Sequence, residues 1–346
     1  RQTLIAFVLF TLVCSASWGI FADISINDLR SQSRKQFAEN NIKEAYDGFS
    51  ELATRTDTGG KELVQDMSML FQCMQRLRNY TEFDQLIEKI IAAHPKDWRV
   101  LSQAIQQYQS VPKHGVLVDN QWQRAPQRIT GQVLNSTDRD RVRVLQLFEQ
   151  AVPFAMQEPN KSEAGQLFVQ LAHALQSNGG AWRLQTITDL TTLPDYETGY
   201  GRGYGGQGAP VDIEGQPIYH SLVRSWKDAE TDGQRWRWAL ATAAEVNPAI
   251  RFQMQLKLAQ FLHGQFGVQT MAYYGVPNSW RRNTDDDQND ARKGRYSVDS
   301  LNDSETIAQL AIGVTRFDMP DEFNHIKLFR DITTAATGQE INVRIQ

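Results

Sequence analysis

The stretch YTEFDQLIEKIIAAHP, Tyr80 to Pro95, sets Tyr80, Phe83, Ile87 and Ile90 three and four residues apart and closes on a proline. Apolar side chains at that spacing share one face of an α-helix. A proline cannot continue the helix, so it marks the end. Ile42, Ala45, Phe49 and Leu52 carry the same pattern 38 residues earlier. Between the two sets, Met67, Leu70 and Met74 supply a facing helix, and Ser25 to Asn40 reads as a first helix with Leu29 and Phe37 on its apolar side. Neither helix of such a pair buries its stripe alone, so pairs stack.

The expected fold is therefore all-α: tetratricopeptide-like stacked helix pairs, an α-solenoid, with a small hairpin insertion and Gly- or Asp-rich loops. The offset exceeds the about 34 residues of an ideal repeat, and the polar Thr54–Gly60 turn holds the excess. A third pair begins at Trp98, carries Leu101, Ile105 and Tyr108, and ends at Pro112. From His114 to Thr130 the helical period is lost, and Val116 to Trp122 around Asp119-Asn120 reads as a hairpin. Ser136/Thr137 is the expected N-cap of a helix through Val142, Leu145, Phe148 and Val152. Ser162 with Glu163 opens the next helix, through Leu167, Leu171 and Leu175. Gly179-Gly180 breaks it, and Ala181 to Leu190 is expected to be a shorter partner helix.

Punctuation in the sequence divides the chain further. Residues 1–22 read as a leader, 23–195 as an N-terminal helical array, and 196–217 as a Gly/Tyr-rich loop. Residues 218–282 form a second helical segment. There Trp226, Trp236, Leu240 and Ala244 lead to Asn247-Pro248, and Phe252, Leu256, Ala259 and Leu262 line the next helix. Residues 283–294 are a polar linker. Residues 295–338 hold C-terminal helices, expected at Ser304–Val314 and Asp321–Ile332, and 339–346 begin a further element in which Ile341, Val343 and Ile345 alternate.

The leader rests on an apolar run, Leu4 to Val13, after Arg1 and before the small residues Ser15, Ala16 and Ser17. That is the pattern of a secretory signal peptide, cleaved after Ala22 or near Ala16, and it is too short for a membrane span. An exported protein, periplasmic or cell-surface/extracellular, with no membrane span after cleavage, is the expectation. Val13 before Cys14 is too large for a lipid-attachment site. Cleavage leaves Cys73 as the one cysteine, between Leu70 and Met74, and it reads as a buried inert thiol. The formal net charge of −4 provides no basic footprint for nucleic acid.

Motifs for chemistry are incomplete. Gly203, Gly205 and Gly208 match G-x-G-x-x-G but precede Pro210 and follow no strand, so a flexible surface loop is expected there. Gly60-Lys61 precedes Glu62 where a phosphate loop needs Ser or Thr. Asp285, Asp287 and Asn289 resemble the start of a calcium loop, yet Asp290 stands where the sharp turn needs glycine and Tyr296 where a bidentate glutamate belongs. The histidines, His94, His114, His173, His220, His263 and His325, form no pair with zinc-binding spacing. His173 and His263 are expected to pack on amphipathic helices. No catalytic, cofactor-binding or metal residue is assigned, and no cofactor is expected.

The richest aromatic region holds Trp226, Trp236, Trp238, Tyr273, Tyr274 and Trp280, with Asp228, Glu230, Asp232 and Glu245 close in sequence. A secreted carbohydrate-active enzyme would need two of these carboxylates to converge on a groove, so their placement separates that alternative from a binding scaffold. Concave faces of helix-pair stacks hold extended peptides or helices, and Arg76, Arg78, Trp98 and Tyr108 are candidates for such a face. A self-associating envelope protein is the remaining alternative.

Several blocks resemble the N-terminal region of large secreted bacterial alpha-2-macroglobulin-family proteins of the planctomycete type. They are Gly180-Ala181-Trp182-Arg183-Leu184-Gln185 with Leu193-Pro194-Asp195-Tyr196, the run Phe261 to Gly275, Ser304-Glu305-Thr306-Ile307-Ala308, and Met319 to Asn324. The resemblance implies a non-catalytic helical-repeat region that spaces or binds proteins at the cell envelope, followed by macroglobulin β-sandwich domains of the same polypeptide. Some members trap proteases through a Cys-x-x-Gln thioester. Here Arg76 stands where Cys73 would need glutamine, so no family functional residue carries over.

Overall fold

The computed structural model describes residues 25–124, 132–177, 180–199, 205–273 and 298–336. The expected leader, the 283–294 linker with its calcium-like residues, and the 339–346 element lie outside them, as do Gly203, Tyr274 and Trp280. Among the described residues the protein is mostly helical with two small sheets. It divides into two compact units between His94 and Pro95.

The first unit holds four helices: α1 (Ile26–Ala38), α2 (Ile42–Thr54), α3 (Gly60–Leu77) and α4 (Phe83–Ala93). Ser25 caps α1 by accepting from the Asp28 N–H, and Asn40 takes a left-handed turn conformation at φ 64°. The stripes read from the sequence are the core: Ala45, Phe49 and Leu52 of α2, Met67, Leu70 and Met74 of α3, and Phe83, Ile87 and Ile90 of α4 are buried. Each large member removes about 1.5–3 kcal/mol worth of apolar surface from water. Cys73 is buried among them, and burial pushes its thiol up to about 11.

The second unit begins with α5 (Trp98–Ser110), the hairpin strands β1 (His114–Val118) and β2 (Gln121–Arg124), β3 (Leu134–Asn135), α6 (Thr137–Ala155) and α7 (Lys161–Gln176). Asp119 and Asn120 make the two-residue turn with φ of 49° and 62°, the positive values a tight hairpin needs. The sheet runs β2-β1-β3-β4, with β4 at Glu197–Thr198. Buried Arg124 clamps the hairpin to α6. It donates to both Asp140 oxygens at 3.0 and 2.8 Å and to the Pro112 carbonyl at 2.9 Å. Ser136 stands at the N-cap position, but its hydroxyl donates to Asp140 instead of capping. The cap of α7 is Asn160, accepting from the Glu163 N–H, ahead of the expected Ser162.

The expected Ala181–Leu190 helix is only the four-residue α8, Gly180–Arg183. The chain after it is irregular because its carbonyls serve another element: Leu184 and Thr186 accept from the Gly233 and Asp232 N–H groups at 2.9 Å. Those groups open α9 (Asp232–Val246), which packs on α7 in place of the expected partner. The Phe168 and Trp238 rings meet edge-on at 5.7 Å there. Next come α10 (Arg251–Phe266) and the single turn α11 (Thr270–Tyr273).

The expected Ser304–Val314 helix is instead a hairpin of β5 (Glu305–Leu310) and β6 (Gly313–Asp318). Ile307, Leu310, Ala311 and Val314 have helical spacing, but pairing decides. Gly313, at φ 120°, closes the turn, and Ala209 joins the far side of β5 through bonds to Gln309 and Ala311. That junction also corrects the reading of the glycine-rich loop as flexible over its described part. The Trp182 indole donates to the Gly208 carbonyl at 3.0 Å. A Cβ at Gly206 would lie 2.4 Å from the Trp182 ring. Glycine is needed there for close approach. Finally α12 (His325–Ala336) follows a short turn, Asp321–Phe323, where one helix from Asp321 was expected. Ala209, Leu262, Phe266, Leu310, Met319 and Phe323 bury one another beneath α10 and the hairpin.

Candidate functional site

A groove opens in the first unit between α1 and α3. Asn27, Arg30, Ser31 and Arg34 stand at positions i, i+3, i+4 and i+7 of α1 and so share a face. With Glu62 and Gln65 of α3 they line a space of about 380 Å³, a size at the lower end of small-ligand sites. Beneath it lies Asp66, fully buried.

Arg30 is buried and engaged at both ends of its guanidinium. Its Nε donates to Asp66 Oδ2 at 2.7 Å and its Nη1 to Glu62 Oε2 at 2.8 Å. Arg34, one turn on, keeps 49% of its side chain exposed and lies 3.7 Å from Asp66 Oδ1. Its bond to Gln65 Oε1 is long, at 3.4 Å. Among the described residues Asp66 Oδ1 has no hydrogen-bond partner. Burial pushes the Asp66 carboxyl above the ordinary range, while Arg30 and Arg34 pull the other way. Further along the two helices, the Arg76 guanidinium sits 4.4 Å over the Phe37 ring.

The groove residues were not singled out in the sequence, and Arg76, which was, lies outside the lining. A signal for them exists. Asp66 occupies an apolar position in the stripe Leu63, Met67, Leu70, Met74, and a carboxylate in a buried stripe requires a buried cation. Arg30 beside Leu29 and Ser33 is that cation, and all three are buried.

The other sequence candidates fall elsewhere. Arg78 ends α3 in a left-handed conformation at φ 50°. Trp98 and Tyr108 are buried packing residues of α5 and offer no surface; the Trp98 indole donates to Glu158 at 3.2 Å. The carboxylates do not converge. Asp232 is fully buried and accepts from Arg141 at 2.8 Å, Arg235 at 3.2 Å, and the Thr188 hydroxyl and N–H at 2.5 and 3.1 Å. Asp228 and Glu245 are exposed. Glu245 follows Asp232 by 13 positions on α9, about 20 Å at the helical rise, against the about 5–9.5 Å that glycoside cleavage needs. Trp236 is buried against Phe261 at 4.6 Å.

His173 is exposed on α7, not packed. His263 lies against the rings of His325 at 5.3 Å and Phe329 at 6.1 Å. Burial holds His325 down to about 4, with His263 adding to the effect, and holds His220 down to about 4, with Arg237 adding. Among the described residues no three metal-ligating side chains gather, and no helix is long and apolar enough to cross a membrane. No family model, curated protein or solved structure matches this chain.

Proposed function

We propose that the chain is a protein-binding scaffold of stacked tetratricopeptide-like helix pairs, and that the α1/α3 groove holds an extended segment of its partner. The groove is the observation that carries this reading. It is open and lined by polar side chains with unfilled hydrogen-bonding capacity, and it lies between two helices supported from behind by a buried apolar core. Contacts between alternate helices fall at comparable offsets, which suits the repeat assignment: those of α1 with α3 run from 31 residues (Arg34 to Gln65) to 39 (Phe37 to Arg76), and Tyr46 of α2 meets Glu82, just ahead of α4, 36 residues on.

The test is selection of peptides from a random display library on the immobilised protein, repeated with Ser31→Trp, which fills the groove from an exposed position. Enriched extended sequences that lose binding to the Trp variant are the expected result. Enrichment indifferent to the substitution would move the site elsewhere, and no enrichment would end the scaffold reading. We also propose, on the block resemblance, that the chain belongs to a large exported macroglobulin-type protein acting at the cell envelope without catalysis of its own. Sequencing the gene downstream of Gln346 tests this: long β-rich domains are expected, and an early stop would refute it.

A further inference from the structure

We propose that the partner segment is acidic, with one carboxylate seated on Arg34 and a backbone peptide unit paired with the side-chain amides of Asn27 and Gln65. This rests on the peptide-groove reading and specifies its chemistry. Arg30 and Arg34 both face the groove, but only one is committed. Arg30 is closed off by Asp66 and Glu62 at 2.7 and 2.8 Å. Arg34 reaches Gln65 only at 3.4 Å and Asp66 only at 3.7 Å, with half its side chain exposed. A guanidinium carries five N–H donors in a planar fork that matches a carboxylate, so most of the Arg34 fork is open to an incoming acid.

The neighbours suit a peptide better than a free anion. Asn27 and Ser31 form no hydrogen bond among the described residues, and Gln65 uses only its Oε1. A side-chain amide offers a donor and an acceptor in one plane, the complement of a peptide unit. Arg30 and Arg34 are matched in number by Glu62 and Asp66, but Arg30 is spent on both acids and Asp66 is sealed from solvent, so Arg34 is the cation of the lining that no hydrogen-bonded acid holds among the described residues. Glu62 is the one acid on the wall, and one of its oxygens is taken by Arg30.

Three labelled nonapeptides test this by fluorescence anisotropy on the full chain: alternating Glu and Ser, and the same sequence with Gln or with Lys in place of Glu. The Glu peptide is expected to bind saturably, about tenfold tighter than the Gln peptide, and less tightly as salt rises. Arg34→Ala should remove that tenfold preference, Arg34→Lys should restore part of it, and Ser31→Trp should abolish binding. Circular dichroism confirms that each variant is folded. Equal binding of the Glu and Gln peptides, or indifference to Arg34→Ala, would overturn acidic recognition; continued sensitivity to Ser31→Trp would leave the groove reading intact. Preference for the Lys peptide would overturn it in favour of recognition by Glu62. Failure of all three peptides would overturn acidic recognition, while the groove reading stands or falls with the library selection.

Discussion

Arg30 in the first unit and Arg141 in the second are both buried guanidinium groups held by a fully buried aspartate, Asp66 at 2.7 Å and Asp232 at 2.8 Å. Their surroundings differ. Around Asp232 the capacity of both oxygens is used by Arg141, Arg235 and Thr188, and Arg141 also donates to the carbonyls of Ala174 and Leu175 at 3.2 Å or less. That arrangement ties α6, the end of α7 and the start of α9 together. Around Asp66 one oxygen is left without a hydrogen bond among the described residues, and the second cation, Arg34, stands half exposed at the edge of an open groove. The Asp232 carboxylate is fully partnered and the donors left unmet around it, Arg141 Nε and Arg235 Nε, are buried, whereas beside Asp66 the half-exposed Arg34 has capacity left for a ligand.

The comparison breaks first at Asp232. Asp232→Ala would leave Arg141 and Arg235 in the interior without their counter-ion, and removing one partner of a buried pair costs about 3–5 kcal/mol. Urea unfolding of the second unit, followed by hydrogen exchange on α7 and α9, measures it. A loss under about 1 kcal/mol would mean that the cluster is not what ties those helices. Asp66→Ala is expected to cost less, about 1–3 kcal/mol, because Glu62 stays on Arg30 and the carboxylate removed was already short of one partner.

Acid should separate the units in opposite directions. His220 and His325 are buried and held down to about 4 against an ordinary 6.5. A folded-state value below the unfolded one means that the unfolded chain takes up protons first as pH falls. Their contribution is whole above 6.5 and is lost progressively toward pH 4, by roughly 3 kcal/mol per histidine. Asp66 is shifted upward from 3.8, so its contribution is present below 3.8 and is lost as pH rises through its folded-state value. Hydrogen exchange read on the helices of each unit from pH 7 to pH 4 checks this. His220→Gln and His325→Gln should flatten the acid loss in the second unit, and Asp66→Asn should flatten the opposite trend in the first. Identical pH profiles for wild type and variants would remove these groups as the cause.

What was legible in the sequence follows the same division. Stripes with unbroken period, such as Ile42 to Leu52 and Phe83 to Ile90, give helices and core because burying one face of a local helix is a local decision. Asp119-Asn120 gives its hairpin because the turn chemistry is local too. Ser304 to Val314 misleads because its apolar residues fit both periods, and the choice is made by Ala209, about a hundred residues away in sequence. Ala181 to Leu190 misleads for a similar reason: its carbonyls cap α9 instead of continuing a helix. The groove was half legible. Asp66 interrupts an apolar stripe, which announces a buried counter-ion, but nothing local says that Arg30 closes the pair while Arg34 stays open.

The smallest stability effect is the sharpest test of the difference between the two arginine clusters. Arg34 makes one long hydrogen bond and one ion contact beyond hydrogen-bond reach, with half its side chain in solvent. A cation so placed contributes at most about 0.5 kcal/mol to folding. Arg34→Ala should therefore leave the urea midpoint of the first unit nearly unchanged. Arg141→Ala, which removes the more buried of the two guanidinium partners of Asp232, should destabilise the second unit by several kcal/mol. If Arg34→Ala destabilised the first unit by more than about 1.5 kcal/mol, Arg34 would be balancing Asp66 as Arg141 balances Asp232, and the groove would be one more closed ionic tie. If the midpoint stays fixed, the arginine is free to serve something other than the fold.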